Sequence, residues 1–396
     1  MRTGIADDAR GAVIPPLYLT TNFRFEEIGK EPEFDYTRSN NPTRRTLTDL
    51  IAGLEGGTSA TATSSGMSAV TLVLQLLKPG DLVVMAHDCY GGTLRLLTAL
   101  ASKGHFDLVC GDLTRADSLA SLLEREPRLI WAETPSNPLL RLTDLKALVA
   151  GAREIDAITV VDNTLLSPAR QRPLDFGIDI ALHSTTKFIN GHSDVIGGAV
   201  ATRSAELGEE LDWWANALGI TQSPFDCYLA LRGARTLFAR MNQHEDNGRA
   251  IAGALRGHPA VTAVHYPGLP DDPGHELALE QQSGFGSMVS FELAGGREAL
   301  DDFTGGLRHF TLAESLGGVE SLISHPATMS HGAVEARERS AAGIEDGLLR
   351  ISAGIEATED LTRDIERALA LVTPGVTGPP AGANSDQGRS LTAAAT

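Results

Sequence analysis

The stretch Ala181-Leu-His-Ser-Thr-Thr-Lys-Phe-Ile-Asn-Gly-His-Ser-Asp194 is the most informative segment of this 396-residue chain. One lysine, Lys187, follows a run of small hydroxyl-bearing residues and precedes a glycine-containing turn. Upstream, the apolar segment Ala157-Ile-Thr-Val-Val-Asp-Asn-Thr164 predicts a buried strand that ends at Asp162. Because functional groups of α/β proteins gather beyond the carboxyl ends of their strands, we expect the lysine and the aspartate to share one site.

The pattern around this stretch predicts an α/β fold. Short apolar strand candidates alternate with helix candidates, which is typical of a mainly parallel, doubly wound sheet. The predicted strands are 82–86, 108–110, 129–133, 158–162, 180–183 and 198–202, and the helices predicted between them are 92–103, 118–124 and 142–152.

The chain divides into four predicted regions. Residues 1–42 include the proline-interrupted segment Val13-Ile-Pro-Pro-Leu-Tyr18 and predict an extended arm that packs on a neighbouring subunit, with a plain surface loop as the alternative. Residues 43–239 form the predicted large domain, and residues 240–372 form a smaller C-terminal α/β domain. The segment 373–396 is rich in Pro, Gly, Ala, Ser and Thr and predicts a disordered tail.

Composition limits the classes of partner. The formal charge of −18 argues against nucleic acid and against anionic membrane surfaces. The sequence has no apolar run of about 20 residues, so no membrane span is expected, and its N-terminus does not resemble a signal peptide. Cys89, Cys110 and Cys227 form no CxxC pair and the histidines are scattered, which predicts reduced thiols, a cytoplasmic location and no metal site.

Several other residues are placed where they would surround Lys187. Ser64-Ser65-Gly66 precedes a helix candidate, and such a start fits either a phosphate site or an ordinary serine N-cap. Tyr90 offers a ring that stacks on a planar cofactor, and Ser184 and Thr186 add hydroxyl groups. A lysine that bonds an aldehyde, an aspartate that keeps a pyridine nitrogen protonated and a phosphate site together predict pyridoxal phosphate (PLP) as the cofactor.

Two absent motifs and two charged residues of the C-terminal half narrow the class of enzyme. No G-x-G-x-x-G follows the first strand and no G-x-x-x-x-G-K-[ST] is present, which argues against nicotinamide enzymes and nucleotide hydrolases. Arg350 alternates with apolar residues in Leu348-Leu-Arg-Ile-Ser352, and an arginine there requires an anion. A substrate carboxylate and a structural ion pair both meet this requirement. Glu314, before a glycine-rich turn, is either a site residue or a solvated carboxylate.

Five segments together resemble the Cys/Met-metabolism family of PLP-dependent enzymes. They are His87-Asp-Cys-Tyr-Gly-Gly-Thr-Leu-Arg95, Glu133-Thr-Pro-Ser-Asn-Pro138, Val161-Asp-Asn-Thr164, His183-Ser-Thr-Thr-Lys-Phe-Ile-Asn-Gly-His-Ser-Asp194 and Thr311-Leu-Ala-Glu-Ser-Leu-Gly-Gly-Val-Glu-Ser-Leu322. The resemblance runs from about residue 11 to residue 371. It implies the PLP-dependent transferase fold type I, with PLP bound by the large domain, and a homotetramer built as a dimer of dimers.

The resemblance also implies roles for individual residues. Lys187 and Tyr90 are the expected catalytic residues. The cofactor is expected to be bound by Tyr36, Arg38, Ser65, Gly66, Met67, Tyr90, Asp162, Ser184, Thr186 and Lys187, of which Tyr36 and Arg38 come from the neighbouring subunit. The amino-acid substrate is expected to be bound by Arg95, Asn137, Glu314, Ser315 and Arg350, with Arg95 at its acyl group.

The reaction that the resemblance implies is a γ-replacement, in which cysteine replaces the acyl group of O-succinyl- or O-acetyl-L-homoserine and gives L-cystathionine. γ-Elimination of cystathionine, sulfhydrylation of the homoserine ester and γ-replacement by another nucleophile are the alternatives. Gly92 stands where methionine γ-lyases have a cysteine, and Glu314 is an acid that β-lyases usually lack. Ser39 stands where some members have a second arginine implicated in carboxylate binding, which leaves the acceptor thiol open.

Overall fold

The computed structural model describes residues 2–5, 8–330, 332 and 336–373, so the predicted tail lies outside the described residues except for Thr373. The strands are β1 (Ser59–Thr63), β2 (Leu82–Ala86), β3 (Asp107–Gly111), β4 (Leu129–Glu133), β5 (Ile158–Asp162), β6 (Ile180–His183), β7 (Gly198–Thr202), β8 (Val261–His265), β9 (Met288–Leu293), β10 (Thr311–Leu312), β11 (Leu322–Ser324) and β12 (Leu348–Ser352). The helices are α1 (Pro42–Glu55), α2 (Gly66–Val73), α3 (Gly91–Ala101), α4 (Ala116–Leu123), α5 (Leu145–Glu154), α6 (Ser167–Arg170), α7 (Pro173–Phe176), α8 (Ala205–Leu218), α9 (Pro224–Ala234), α10 (Leu237–Leu255), α11 (His275–Gln281), α12 (Gly296–Gly306), α13 (Ala336–Ala341) and α14 (Thr358–Leu369).

The first sheet has seven strands in the order β1-β7-β6-β5-β4-β2-β3. The pairs β2–β3, β2–β4, β4–β5 and β5–β6 are parallel, whereas β7 and β1 add an antiparallel edge. The predicted mainly parallel, doubly wound sheet is therefore confirmed. The parallel strands β2, β4, β5 and β6 all end at the same edge of the sheet, and this edge carries the site described below.

Helices cover both faces of this sheet, as the side chains of β6 show. Leu182 packs into one core with residues of α2 and α8, and Ala181 packs into another with residues of α1 and α9. The two side chains point to opposite faces because successive residues of a strand alternate. β4 is buried along its whole length, and Trp131 at its centre is fully buried. Its charged group, Glu133, comes only at the carboxyl end.

The second sheet has the order β10-β11-β12-β9-β8. It is antiparallel except for the β10–β11 pair. Its core contains the fully buried side chains Phe291 and Phe303, with apolar residues of α10 and α14. The predicted smaller α/β unit is thus present as a separate sheet and core. The predicted domain boundary between residues 239 and 240 falls within α10, which runs continuously from Leu237 to Leu255.

The structure differs from the predicted elements at two places, the start of α5 and the strand β1. The helix predicted over 142–152 begins at Leu145, because the Asp144 side chain accepts hydrogen bonds from the backbone N–H groups of Lys146 and Ala147. The strand β1 was not predicted, since its Ser-Ala-Thr-Ala-Thr composition lacks large apolar residues. Pairing with β7 stabilises it.

The N-terminal arm is held to the body by polar contacts. The backbone N–H of Tyr18 donates to Thr43 Oγ1 at 3.0 Å, and Arg44 donates to the backbone oxygens of Thr37 and Arg38. Several large apolar side chains of the arm are exposed: Val13, Ile14, Tyr18, Leu19, Phe25, Ile28 and Tyr36.

In the part of the chain that the structure describes, no helix is long and apolar enough to cross a membrane.

Gly233 allows α9 to lie close to the loop that follows Lys187. A Cβ atom at Gly233 would overlap the backbone oxygen of Asn190, so we expect Gly233→Ala to destabilise the protein by about 1–3 kcal/mol. Gly253, in the middle of α10, has open space around its Cα. Gly253→Ala is therefore expected to stabilise the protein by roughly 0.5–1 kcal/mol. Thermal unfolding of both variants measures the difference, and equal effects would contradict the close approach at Gly233.

Candidate active site

A cavity of about 420 Å³ lies where the parallel strands of the first sheet end. It is bounded by the N-terminus of α2, the segments after β2, β4, β5 and β6, and the loop before β11. Of the residues predicted from the sequence, the structure brings together at this cavity Ser65, Gly66, Met67, Tyr90, Arg95, Asn137, Asp162, Ser184, Thr186, Lys187, Glu314, Ser315 and Arg350. Tyr36 and Arg38 are not among the lining residues.

Lys187 projects into the cavity from the segment between β6 and β7. Its Nζ donates a hydrogen bond to Ser315 Oγ at 2.6 Å. Ser315 has a φ of 88°, a conformation unusual for a residue with a side chain. The pKa of the Lys187 amine is lowered to about 8, mainly by burial and also by nearby Arg350, while Glu314 opposes the change. An amine with this pKa is partly deprotonated at neutral pH, as a nucleophile or a proton acceptor requires.

Asp162 is the last residue of β5 and opens onto the same cavity. Burial raises the pKa of its carboxyl, whereas hydrogen bonds from the Thr164 side chain and backbone, and the proximity of His183, lower it. The Thr164 N–H lies 3.0 Å from Asp162 Oδ1. His183 lies on the opposite face of β6, where its Nε2 is 2.6 Å from Glu55 Oε1. Asp162 thus combines a half-buried position at the cavity with donors that favour its anion.

The N-terminus of α2 faces the cavity and has the features of an anion site. Ser65 caps the helix by accepting a hydrogen bond from the Ser68 N–H at 3.0 Å, so the N-cap interpretation is confirmed. The backbone N–H groups that begin a helix attract anions. A Cβ at Gly66 would lie 2.9 Å from Ser184 Cβ, so only glycine leaves this corner open. The Thr186 hydroxyl donates to the Gly197 oxygen at 3.2 Å. These residues fit the phosphate of PLP.

Arg350 is a buried cation at the wall of the cavity. It donates to Asn137 Oδ1 at 2.9 Å and to the Ser315 backbone oxygen at 2.8 Å, while its Nε has no partner. Burial lowers its pKa to about 10, against the attraction of Glu133, Glu314 and Tyr90. Among the described residues no carboxylate lies within ion-pair distance of its guanidinium. This arrangement favours a substrate anion over a structural ion pair.

Tyr90 was predicted as a site residue, but several other residues that line the cavity were not. The Tyr90 ring lines the cavity and is 40% exposed. A Cβ at Gly92 would overlap this ring, so Gly92 makes room for it. Glu133 accepts a hydrogen bond from the Tyr90 N–H at 2.6 Å. Glu133, Gly92 and Thr164 line the cavity but were not predicted as site residues. The sequence could have predicted Glu133 as a site residue, because it ends an apolar strand as Asp162 does.

Arg95 and the arm residues lie at the periphery. Arg95 is exposed at the rim of the cavity and makes no hydrogen bond or ion pair within the described ranges. Tyr36 and Arg38 are exposed, with the Arg38 guanidinium 5.7 Å from the Tyr36 ring centroid. Ser39 lies in a separate small pocket beside Arg44. Within one chain, therefore, the arm residues do not reach the cavity.

The described residues contain no cluster of His, Cys, Asp and Glu that could bind a metal.

Comparisons with known proteins agree with this fold and site. The family model described as "Cys/Met metabolism PLP-dependent enzyme" matches residues 1–370. Cystathionine gamma-synthase of Escherichia coli (strain K12) is 48% identical over 377 residues, which cover 95% of this chain and 98% of that enzyme. Cystathionine beta-lyase of Lactococcus lactis subsp. cremoris (strain MG1363) is 47% identical over 365 residues, covering 92% and 95%. Cystathionine gamma-lyases are also among the relatives.

The solved structure of cystathionine gamma synthase from Xanthomonas oryzae pv. oryzae superposes with a TM-score of 0.92. The two chains are 58% identical, and the match covers 93% of this chain and 96% of that one. The fold and these matches thus define a PLP-dependent enzyme of fold type I. The chain belongs to the Cys/Met metabolism PLP-dependent enzymes, and within them it is similar to cystathionine gamma-synthase.

The pKa of Lys187 leads to a pH-dependent prediction. Because only the neutral amine bonds an aldehyde, the rate at which cofactor-free protein is reconstituted by added PLP should rise up to about pH 8 and then level off. Absorbance of the bound cofactor measures this rate. The charge of Glu314 raises the pKa of Lys187. Glu314→Gln is therefore expected to shift the midpoint of the rate–pH curve to lower pH under the same conditions. A midpoint near 10.4, the ordinary value for lysine, would contradict the effect of burial.

Proposed function

We propose that the protein catalyses γ-replacement on an O-acyl-L-homoserine, succinyl or acetyl, with L-cysteine as the nucleophile, giving L-cystathionine. The observation that carries this proposal is the set of charges around Lys187. The buried Arg350 has an unpartnered Nε, and the exposed Arg95 lies at the rim of the same cavity. One cation suits the α-carboxylate of an amino acid, and the second suits the acyl group at the far end of the same substrate.

The residues that line the cavity provide for each part of the cofactor. Ser65, Gly66, Met67, Ser184 and Thr186 would bind the phosphate, Asp162 the ring nitrogen and Tyr90 the ring face, while Lys187 would bond the aldehyde. PLP supplies an electron sink that stabilises negative charge at the substrate carbons next to it.

Lys187 is the group in the cavity that is suited to move protons. With the amino acid bound, the free Lys187 amine would be placed to take the proton from Cα and, once it has passed that proton on, the proton from Cβ, and the acyl group would leave Cγ as a carboxylate. The Ser315 hydroxyl, 2.6 Å from Nζ, would hold the amine in place. The Tyr90 hydroxyl would assist in proton transfer, since its ring lines the same cavity. The cysteine thiolate would then add at Cγ, and the protons that were removed would return to Cβ and Cα, which completes L-cystathionine.

Two features bear on the nucleophile and on the direction of the reaction. The similar structure from Xanthomonas oryzae pv. oryzae contains aminoacrylate and cysteine, which supports cysteine as a ligand of such a cavity. Cystathionine β- and γ-lyases are nearly as similar in sequence as the E. coli synthase. Breakdown of cystathionine is therefore the second candidate function.

Purified protein with PLP should form cystathionine from cysteine and either O-succinyl- or O-acetyl-L-homoserine, as measured by mass spectrometry. The same preparation should release 2-oxobutanoate or pyruvate from cystathionine more slowly. Lys187→Ala is the matched control and should lose activity at least about a hundredfold, because it removes the proton acceptor. Faster breakdown than synthesis would assign the protein to the lyases, and product with sulfide alone would assign it to the sulfhydrylases.

We also propose a cytoplasmic homotetramer, built as a dimer of dimers, in which the arm completes the site of a neighbour. The exposed apolar side chains of the arm and the absence of Tyr36 and Arg38 from the lining of their own cavity support this arrangement. In it, Tyr36 and Arg38 would bind the phosphate of the cofactor in the adjacent subunit.

Shared sites predict that two inactive variants restore each other. A mixture of Lys187→Ala and Arg38→Ala subunits, unfolded and refolded together, should regain activity, because one site of each hybrid dimer has both residues intact. Each variant refolded alone is the control. Light scattering should show a tetramer, and a monomer or the absence of regained activity would argue against the shared site.

A further inference from the structure

Two carboxyl groups end neighbouring strands beneath the cavity. Glu133 is the last residue of β4 and Asp162 the last of β5, and the two residues are partners in the parallel register. Neighbouring strands lie about 4.8 Å apart, and register partners point to the same face, so the two carboxyl groups are close together. Both line the cavity, and Glu133 is only 3% exposed. Two carboxylates so placed disfavour each other's ionised form.

The hydrogen bonds differ between the two groups. Asp162 accepts from the backbone N–H of Thr164 and lies near His183, and these contacts favour its anion. Glu133 accepts one hydrogen bond at its Oε2, from the Tyr90 N–H, and its Oε1 accepts none from the described residues. Burial raises the pKa of Glu133 well above its ordinary value, and Asp162 raises it further.

The other charged groups near Glu133 do not reverse this balance. Asp88 adds to the rise in the pKa of Glu133, and the Tyr90 N–H and the Arg350 guanidinium oppose it. Burial raises the pKa of the Cys89 thiol well above its usual range, so the thiol stays neutral. Arg350 is directed to Asn137 and to the Ser315 backbone oxygen, with which it makes its hydrogen bonds.

We propose that Glu133 is a positioning residue that acts as a neutral carboxylic acid: it holds the backbone of Tyr90 and leaves Asp162 as the single anion of the pair. A protonated carboxyl still accepts the Tyr90 N–H through its carbonyl oxygen. A second anion beside Asp162 would favour protonation of Asp162 itself, and Asp162 would then no longer stabilise a protonated ring nitrogen.

The position of Tyr90 depends on this contact and on Gly92. Glu133 fixes the backbone at Tyr90, directly before α3 begins at Gly91. Gly92 leaves room for the ring, since a Cβ there would overlap it. Together the two residues determine where the ring lies over the cavity. The inference deepens the proposed function and rests on it, since that function assigns Tyr90 to the face of the cofactor ring and Asp162 to its nitrogen.

Infrared difference spectroscopy tests the protonation state directly. Wild-type protein, with and without PLP, should show the C=O stretching band of a protonated carboxyl at pH 7, and Glu133→Gln should lack it. The Asp162→Asn variant should keep the band. Loss of the band in Asp162→Asn but not in Glu133→Gln would overturn the assignment. This readout does not depend on the substrate, so it separates a failure of the inference from a failure of the proposed reaction.

Unfolding as a function of pH gives a second readout. Since the pKa of Glu133 is raised by folding, the stability that its proton adds is complete below the pKa of an unfolded glutamate, about 4.3, and decreases as the pH rises toward the raised value. Glu133→Gln has no proton to lose. The Tm of this variant minus the Tm of wild type should therefore increase between about pH 5 and about pH 8. A difference that decreases over this range would show that Glu133 is stabilised as an anion.

Activity and cofactor absorbance separate positioning from folding. Glu133→Gln keeps a carbonyl oxygen for the Tyr90 N–H and should be at least about tenfold more active than Glu133→Ala, which leaves that N–H unpaired. The difference should lie in kcat, and the absorbance spectrum of bound PLP should shift in the alanine variant alone. Equal losses in both variants, with the spectral change that Asp162→Asn causes, would contradict the proposal and indicate an anionic Glu133.

Discussion

The constraint on which the structure depends is the parallel alignment of β2, β4, β5 and β6. Parallel strands in one sheet must all end at the same edge, and each is followed by a segment that crosses this edge. Tyr90, Asn137, Asp162 and Lys187 are far apart in the sequence, yet they come together because each follows the end of one of these strands. The apolar interiors of the strands hold this edge rigid, so polar residues appear only where the strands end.

Removal of charged groups from water then decides the chemistry of the site. Burial lowers the pKa of Lys187 to about 8 and that of Arg350 to about 10, while it raises the pKa of Asp162 and Glu133. These opposite shifts leave an amine that can lose its proton and a guanidinium that remains charged beside two acids of unequal strength. In water the same groups would have ordinary pKa values, so the lysine would be protonated and both acids would be ionised at neutral pH.

Much of the site could be predicted because its residues occur at recognisable places. Asp162 and Lys187 follow apolar strands, and Ser65 and Gly66 begin a helix, so local pattern was sufficient for them. Glu133 was missed as a site residue although it also ends a strand, because only the register with Asp162 shows that the two acids lie side by side. The role of Gly92 was likewise invisible, since it depends on where the Tyr90 ring lies.

By itself the sequence determined the α/β class, the order of most strands and helices and the cofactor, and it predicted the main site residues. The class and the order of elements follow from periodicity and residue types, which are local properties, whereas most individual site residues were predicted from the resemblance to the Cys/Met-metabolism family. The tertiary structure alone decided that Arg350 reaches the cavity with a free Nε, that Ser315 holds Lys187, and that β1 and β7 complete the sheet. It also showed that Tyr36 and Arg38 do not reach the cavity of their own chain. These results depend on distances between residues remote in sequence, which burial and register fix only once the chain has folded.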